Sequence, residues 1–153
     1  MEKIASFSIN HDHLKPGMYT SRVDGDVVSY DIRMAYPNSG RYLSNEALHT
    51  LEHLFATYVR NSPHSGQVVY VGPMGCRTGL YFLVRDSMTP QQAIGLVRET
   101  LAFIAGYSGE IPGATPGECG NAAEHSLPAA VEAAEKMLPV LRNWTVERLR
   151  YEP

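Results

Sequence analysis

The string His49-Thr50-Leu51-Glu52-His53 carries the densest chemistry in this chain. Residues four apart on a helix stand one above the other, so His49 and His53 can offer two imidazoles to one ion. Glu52 shares nearly the same face. A carboxylate there can reach a proton on something held by the ion without itself being a ligand, the division of labour of His-x-x-Glu-His sites. A third donor, Cys119, is available far along the chain in the glycine-flanked segment Glu118-Cys119-Gly120. Two imidazoles and a thiolate leave a fourth position open, which separates a catalytic centre from a closed structural one. Zinc and iron(II) both suit these donors. The remaining imidazoles, His11, His13, His64 and His125, are not expected to be ligands. The other cysteine, Cys76, lies beside Gly75 in a glycine-rich stretch, and no disulfide with Cys119 is expected.

These groups must be positioned by the surrounding elements. A helix capped at Ser44 or Asn45 is expected to run to about Arg60, because Leu48, Leu51, Phe55 and Tyr58 recur at helical spacing before Asn61-Ser62-Pro63. Upstream, Met18 to Val23 and Asp26 to Met34 flank Asp24-Gly25 and read as a hairpin. Val28, Tyr30, Ile32 and Met34 would share one strand face, leaving Ser29, Asp31 and Arg33 on the other. Val68 to Val71 and Leu80 to Val84 read as strands on either side of the Cys76 connection. Thr89-Pro90-Gln91-Gln92 opens a helix expected over Pro90 to about Ala105. Tyr107 to Glu124 has no periodicity, and a loop of that length in a compact domain is usually functional. Ser126-Leu127-Pro128 starts a last helix that Pro139 is expected to kink or break. Together these elements predict one α+β domain over residues 1–153, an antiparallel sheet packed against segregated helices as a single layer pair.

Composition narrows the partners. With 153 residues, a formal charge of -3 and mixed signs along the chain, no basic stripe exists to track a phosphate backbone, so nucleic acid is not expected. No stretch approaches the ~18 apolar residues of a membrane span, and Met1-Glu2-Lys3 does not open a signal peptide, so no membrane partner and a cytoplasmic location are expected.

Five strings in order make the chain resemble the S-ribosylhomocysteine lyase (LuxS) family over essentially its whole length: Ser6-Phe7 with Asn10-His11, Tyr30-Asp31-Ile32-Arg33, His49 to His53, Pro73-Met74-Gly75-Cys76 with Thr78-Gly79, and Cys119-Gly120. The resemblance implies cleavage of S-ribosyl-L-homocysteine to L-homocysteine and 4,5-dihydroxy-2,3-pentanedione, the precursor of the autoinducer-2 signal. It implies a homodimer with two sites at the interface and one divalent metal per subunit, typically Fe2+, with Zn2+ or Co2+ as alternatives. By the same resemblance His49, His53 and Cys119 are ligands, Cys76 and Glu52 acid/base groups, and Ser6, His11 and Arg33 substrate-site residues. Tyr70 and Gly72 depart from the family's pattern of an acidic and a small polar residue, which bears on contacts to the homocysteine end.

The chemistry suits the residues. Moving a sugar carbonyl along the carbon chain and expelling a thioether develops enediolate charge that a Lewis-acidic metal can hold. A Cys76 thiolate, favoured by the metal and by adjacent Arg77, could carry a proton between neighbouring carbons, and Glu52 could move hydroxyl protons. Two rival readings fit the same residues. In an inverted-type zinc peptidase Glu124 would replace Cys119 as third ligand. A non-catalytic metal or sugar-binding module would hold the ion without turnover.

Overall fold

A side-chain cap decides where the histidine helix begins. In the computed structural model, which describes residues 1–153, Ser44 Oγ accepts the backbone N–H of Ala47 at 3.1 Å, satisfying a donor that the first helical turn leaves free. Helix α1 then runs over Asn45–Arg60. The other helices are α2 (Pro90–Ala105), opened by the expected Thr89/Gln92 capping box, and α3 (Leu127–Leu141), capped by Ser126. The expected break at Pro139 does not occur. Proline removes only the bond to the Glu135 carbonyl, and it falls in the last turn, where fully buried Leu141 anchors the helix end.

Four strands, β1 (Gly17–Asp24), β2 (Val27–Arg33), β3 (Val68–Pro73) and β4 (Gly79–Arg85), form one antiparallel sheet in the order β1-β2-β4-β3. The β1–β2 turn sits one residue later than expected: Asp24 pairs with Val27, leaving Gly25 and Asp26 as the loop, with Gly25 at φ +59°. Met18, Ile32, Leu80, Phe82 and Val84 are fully buried on one side of the sheet. Against it packs the apolar stripe of α1, Leu51, Leu54, Phe55 and Val59, with the Phe55 and Phe82 rings edge to face at 5.4 Å. Helices α2 and α3 pack on α1 and on each other. This is the α+β arrangement expected, and no helix is long and apolar enough to cross a membrane.

The face of β2 that carries Arg33 is buried as well. Trp144 Nε1 donates to the Met18 carbonyl at 2.8 Å, and Tyr151 stacks on Tyr19 at 4.9 Å, so the C-terminal segment lies across β1 and β2. Asp31 and Arg33 are consequently 0 % and 2 % exposed. At the end of the Cys76 connection, β4 presses so close to β2 that a Cβ on Gly79 would fall 2.0 Å from the Ile32 carbonyl oxygen. Backbone cannot move aside as a side chain can. Gly79→Ala is therefore expected to cost roughly 1–3 kcal/mol of stability, read as a lowered urea midpoint at unchanged slope; an unchanged midpoint would mean that the two strands separate without penalty.

Candidate metal centre and the cysteine loop

Two backbone carbonyls fix the histidines of α1. His49 Nδ1 donates to the carbonyl of Glu124 and His53 Nδ1 to that of Pro112, each at 2.8 Å. A carbonyl only accepts, so both Nδ1 atoms carry the proton and both Nε2 atoms keep a lone pair for an ion. The carbonyls stand on either side of Cys119 in the loop between α2 and α3, which delivers that cysteine. There the backbone N–H groups of Glu118 and Cys119 both donate to the Thr115 carbonyl, turning the chain toward α1. Gly113, at φ +68°, passes so near the helix that a Cβ would sit 3.4 Å from His53 Nδ1. The left-handed angle and the close approach both favour glycine.

Cys119 Sγ lies 3.3 Å from His49 Nε2 and 4.0 Å from His53 Nε2. A tetrahedral shell with metal–nitrogen bonds of about 2.0–2.1 Å and metal–sulfur bonds of about 2.3 Å places nitrogen and sulfur about 3.6 Å apart. The two observed distances straddle that value, and the donor set of two imidazoles and a thiol fits a borderline-soft divalent ion. The structure adds His125, outside the expected set: the ligand atoms of His49, His53, Cys119 and His125 all lie within 4.8 Å of one another. Burial, and then the neighbouring charges of His49 and His53, push the His125 imidazole below its ordinary range. Its sequence signal was proximity to Cys119, six residues away, in a loop that had to fold back onto α1. Glu124 does not join the cluster. Its carboxylate accepts from Asn121, and only its backbone oxygen touches His49.

Glu52 and His49 line a cleft of about 310 Å³ together with Pro73, Met74, Gly75 and Arg77 of the Cys76 loop. Glu52 is half-buried and forms no ion pair. The loop is a tight turn in which Arg77 N donates to the Met74 carbonyl at 3.0 Å, leaving Cys76 exposed near its tip. Arg77 itself takes a left-handed φ of +60° and lays its guanidinium over the Tyr42 ring, 5.7 Å from the centroid.

The cation nearest the Cys76 sulfur is instead Arg33, whose Nη1 is 3.9 Å from Sγ and donates to Thr78 Oγ1 at 2.7 Å. Thr78 Oγ1 in turn contacts Sγ at 3.0 Å. The rest of the Arg33 fork is taken by Asp31, with Nε to Oδ1 at 3.1 Å and Nη2 to Oδ2 at 2.6 Å. Burial pulls the guanidinium pKa down, but the charge and hydrogen bonds of Asp31 and the charge of Cys76 more than offset it, so the net shift is upward. Tyr151 donates to Asp31 Oδ2 at 2.7 Å, and burial followed by the Asp31 charge raises that phenol well above its ordinary value. The sequence placed Asp31 and Arg33 on one strand face but did not show that they pair or that Thr78 and Tyr151 join them.

Ser6 and His11 stand elsewhere. Ser6 lies in a short 3-10 turn, Ala5–Phe7, that packs near β1, and His11 Nδ1 donates to the Ile9 carbonyl at 2.9 Å. Helix α1 sits over β3 and β4 at the other side of the sheet. Neither residue lines the Glu52 cleft. The departures at Tyr70 and Gly72 form one unit: the exposed Tyr70 ring lies over Gly72, where a Cβ would meet it at 2.4 Å.

Fold and site thus define an α+β domain with a helix-borne His/His pair, a loop thiol and a second cysteine in a loop that lines the Glu52 cleft. The family model described as S-Ribosylhomocysteinase (LuxS) matches residues 4–148. The chain is 48% identical over 157 residues to an S-ribosylhomocysteine lyase of Porphyromonas gingivalis, 45% identical over 156 residues to one of Clostridium acetobutylicum, and 41% identical over 156 residues to one of Borreliella burgdorferi. In each case 99% of both chains is covered. The chain belongs to the LuxS family.

The geometry separates the two ligand sets weighed from the sequence. Cys119→Ala is expected to remove stoichiometric metal, whereas Glu124→Ala keeps it because the backbone carbonyl that holds His49 survives. Metal analysis of the dialysed variants checks this, and the reverse pattern would favour the peptidase set.

Proposed function

We propose that this chain is a metal-dependent carbon–sulfur lyase that converts S-ribosyl-L-homocysteine to L-homocysteine and 4,5-dihydroxy-2,3-pentanedione. The observation that carries the reading is convergence: His49 of the ligand cluster, Glu52 and the Cys76 loop face one cleft, whose size falls at the lower end of the roughly 300–1,000 Å³ of small-ligand sites. His49, His53 and Cys119 would hold the divalent ion, with Fe2+ the reading from family resemblance. When bound, it supplies Lewis acidity toward a sugar carbonyl and its neighbouring hydroxyl.

The chain's own groups handle protons. Carbonyl migration removes a proton from one carbon and returns it to the adjacent one, so a single base on one side of the sugar can serve both transfers. Cys76 is exposed, its neighbours Gly75 and Arg77 line the cleft, and its Sγ contacts the Arg33 guanidinium and the Thr78 hydroxyl. Arg33 is proposed to act through Cys76 instead of pairing a substrate carboxylate, because Asp31 and Thr78 already engage its donors. Glu52, free of internal partners, moves the hydroxyl protons and assists departure of the homocysteine sulfur, which leaves with the electron pair of the broken C–S bond and takes up a proton. The atoms of the substrate are fully shared between the two products.

Ser6 and His11 do not line the cleft of their own chain, so the substrate-site role that the family resemblance gives them would need a second copy, which supports reading the protein as a homodimer with shared sites. Ile4 and Phe7 beside them are 52 % and 67 % exposed, apolar surface that a second copy would cover.

Thiol release from S-ribosylhomocysteine, measured on anaerobically purified protein beside metal content, tests the activity. Cys76→Ala and Glu52→Gln are expected to keep one metal per chain and to lower kcat by about 10²–10⁴-fold. Full turnover in either variant removes that residue from the mechanism. Co-refolding Cys119→Ala with His11→Ala chains tests the shared site: mixed dimers should regain activity that neither parent has, and a mixture as inactive as its parents would place His11 outside the partner's site.

A further inference from the structure

His125 touches the candidate ligands but has no part in the chemistry above, and its placement differs from that of His49 and His53 in two respects. The first is the partner of Nδ1. His49 and His53 each face a carbonyl, which forces the proton onto Nδ1. His125 Nδ1 faces the Thr50 hydroxyl at 2.9 Å. That oxygen already accepts the backbone N–H of Ser126 at 3.0 Å, and the hydroxyl proton has no acceptor other than the His125 ring. The proton is therefore assigned to the Thr50 O–H···Nδ1 bond, which leaves the ring's own proton on Nε2. A protonated Nε2 has no lone pair to offer an ion.

The second respect is ring geometry. The His49 and His125 rings are stacked, with centroids 3.8 Å apart and planes inclined by 22°. Imidazole lone pairs lie in the ring plane, so two nearly parallel stacked rings direct them past a shared ion. With metal–nitrogen bonds of about 2.0–2.1 Å, the centroids of two imidazoles on one tetrahedral ion stand about 5 Å apart. The His49–His53 separation of 4.7 Å, with planes at 88°, approaches that arrangement. The His53–His125 pair, at 4.7 Å and 71°, approaches it too, whereas the stacked His49–His125 pair does not. The stack therefore keeps those two rings from sharing an ion, and their Nδ1 partners mark His125 as the one left out.

We propose that His125 is a positioning residue whose Nε2–H, oriented by Thr50 and lying 4.0 Å from Cys119 Sγ, serves the thiolate as an outer-sphere hydrogen-bond donor and is not a third imidazole ligand. The inference rests on the metal-lyase reading of the site. Hydrogen bonds to a ligand sulfur draw electron density from it and hold its orientation, and partners of this kind set both the affinity and the electronic character of a metal centre. Thr50 sits one residue after His49 on α1 and also ties down Ser126, the cap of α3, so one hydroxyl couples the ligand helix, the donor ring and the end of the Cys119 loop.

Cobalt(II)-loaded protein tests this without relying on turnover. X-ray absorption of the unmodified chain is expected to count two imidazoles and one sulfur; three imidazoles on a cobalt ion that still depends on Cys119 would overturn the role given to His125 alone. His125→Ala is expected to keep one cobalt per chain with affinity lowered about 10- to 100-fold, and to move the sulfur-to-cobalt charge-transfer band to lower energy. His125→Gln, whose amide N–H can occupy the place of Nε2–H, should return the band toward its original position. A band unmoved in His125→Ala also overturns the proposal. If the unmodified chain holds no stoichiometric cobalt, or holds it equally well after Cys119→Ala, the metal-lyase reading itself fails.

Discussion

Two N–H···O=C hydrogen bonds, from His49 to Glu124 and from His53 to Pro112, are the constraint on which the candidate centre depends. They settle the tautomer of both rings, and they do so with carbonyls on either side of Cys119 in the segment that brings it to the cluster. Orientation of the first two donors and delivery of the third are thus one structural event. A helix can offer two imidazoles at a spacing of four residues, but rotation about their side-chain bonds leaves the lone pairs undirected until something accepts from the far nitrogens.

A second constraint organises the surroundings of the cysteine loop. Asp31 and Arg33 are buried together on the outward face of β2, and the guanidinium that Asp31 holds reaches Thr78 and the edge of the Cys76 sulfur. Taking two charges out of water is costly, and such pairs persist when the geometry is bidentate and the remaining lone pairs are satisfied. Both conditions hold here, the second through Tyr151. The C-terminal segment therefore does more than cover β1: it completes the pair that sets the charge beside the cysteine loop. Gly79 allows β4 to approach β2 closely enough for that reach.

Legibility in the sequence followed the range of the interaction. Helix α1 with its serine cap, α2 with its capping box and the paired strands around Gly25 were readable because caps, turns and periodicity act within a few residues. Pro139 misled because a proline's cost depends on where in the helix it falls, and the end of α3 is set by burial of Leu141. Arg77 was the nearest cation to Cys76 in sequence, yet its left-handed backbone turns it onto Tyr42, and Arg33, 43 residues away, takes that place. Ser6 and His11, named by resemblance, do not line the Glu52 cleft of their own chain.

By itself the sequence determined which donors exist and which of them must share a helical face, since that follows from local backbone geometry and residue chemistry: His49, Glu52 and His53 on one helix, Cys76 in a turn, Cys119 in a long loop. Only the tertiary structure decided what each donor meets. Loop carbonyls choose the tautomers of two histidines, Thr50 chooses the opposite one for His125, and a buried carboxylate carries Arg33 to a sulfur. Those choices rest on contacts between segments far apart in the chain, and a proton goes to whichever nitrogen the folded surroundings leave facing an acceptor.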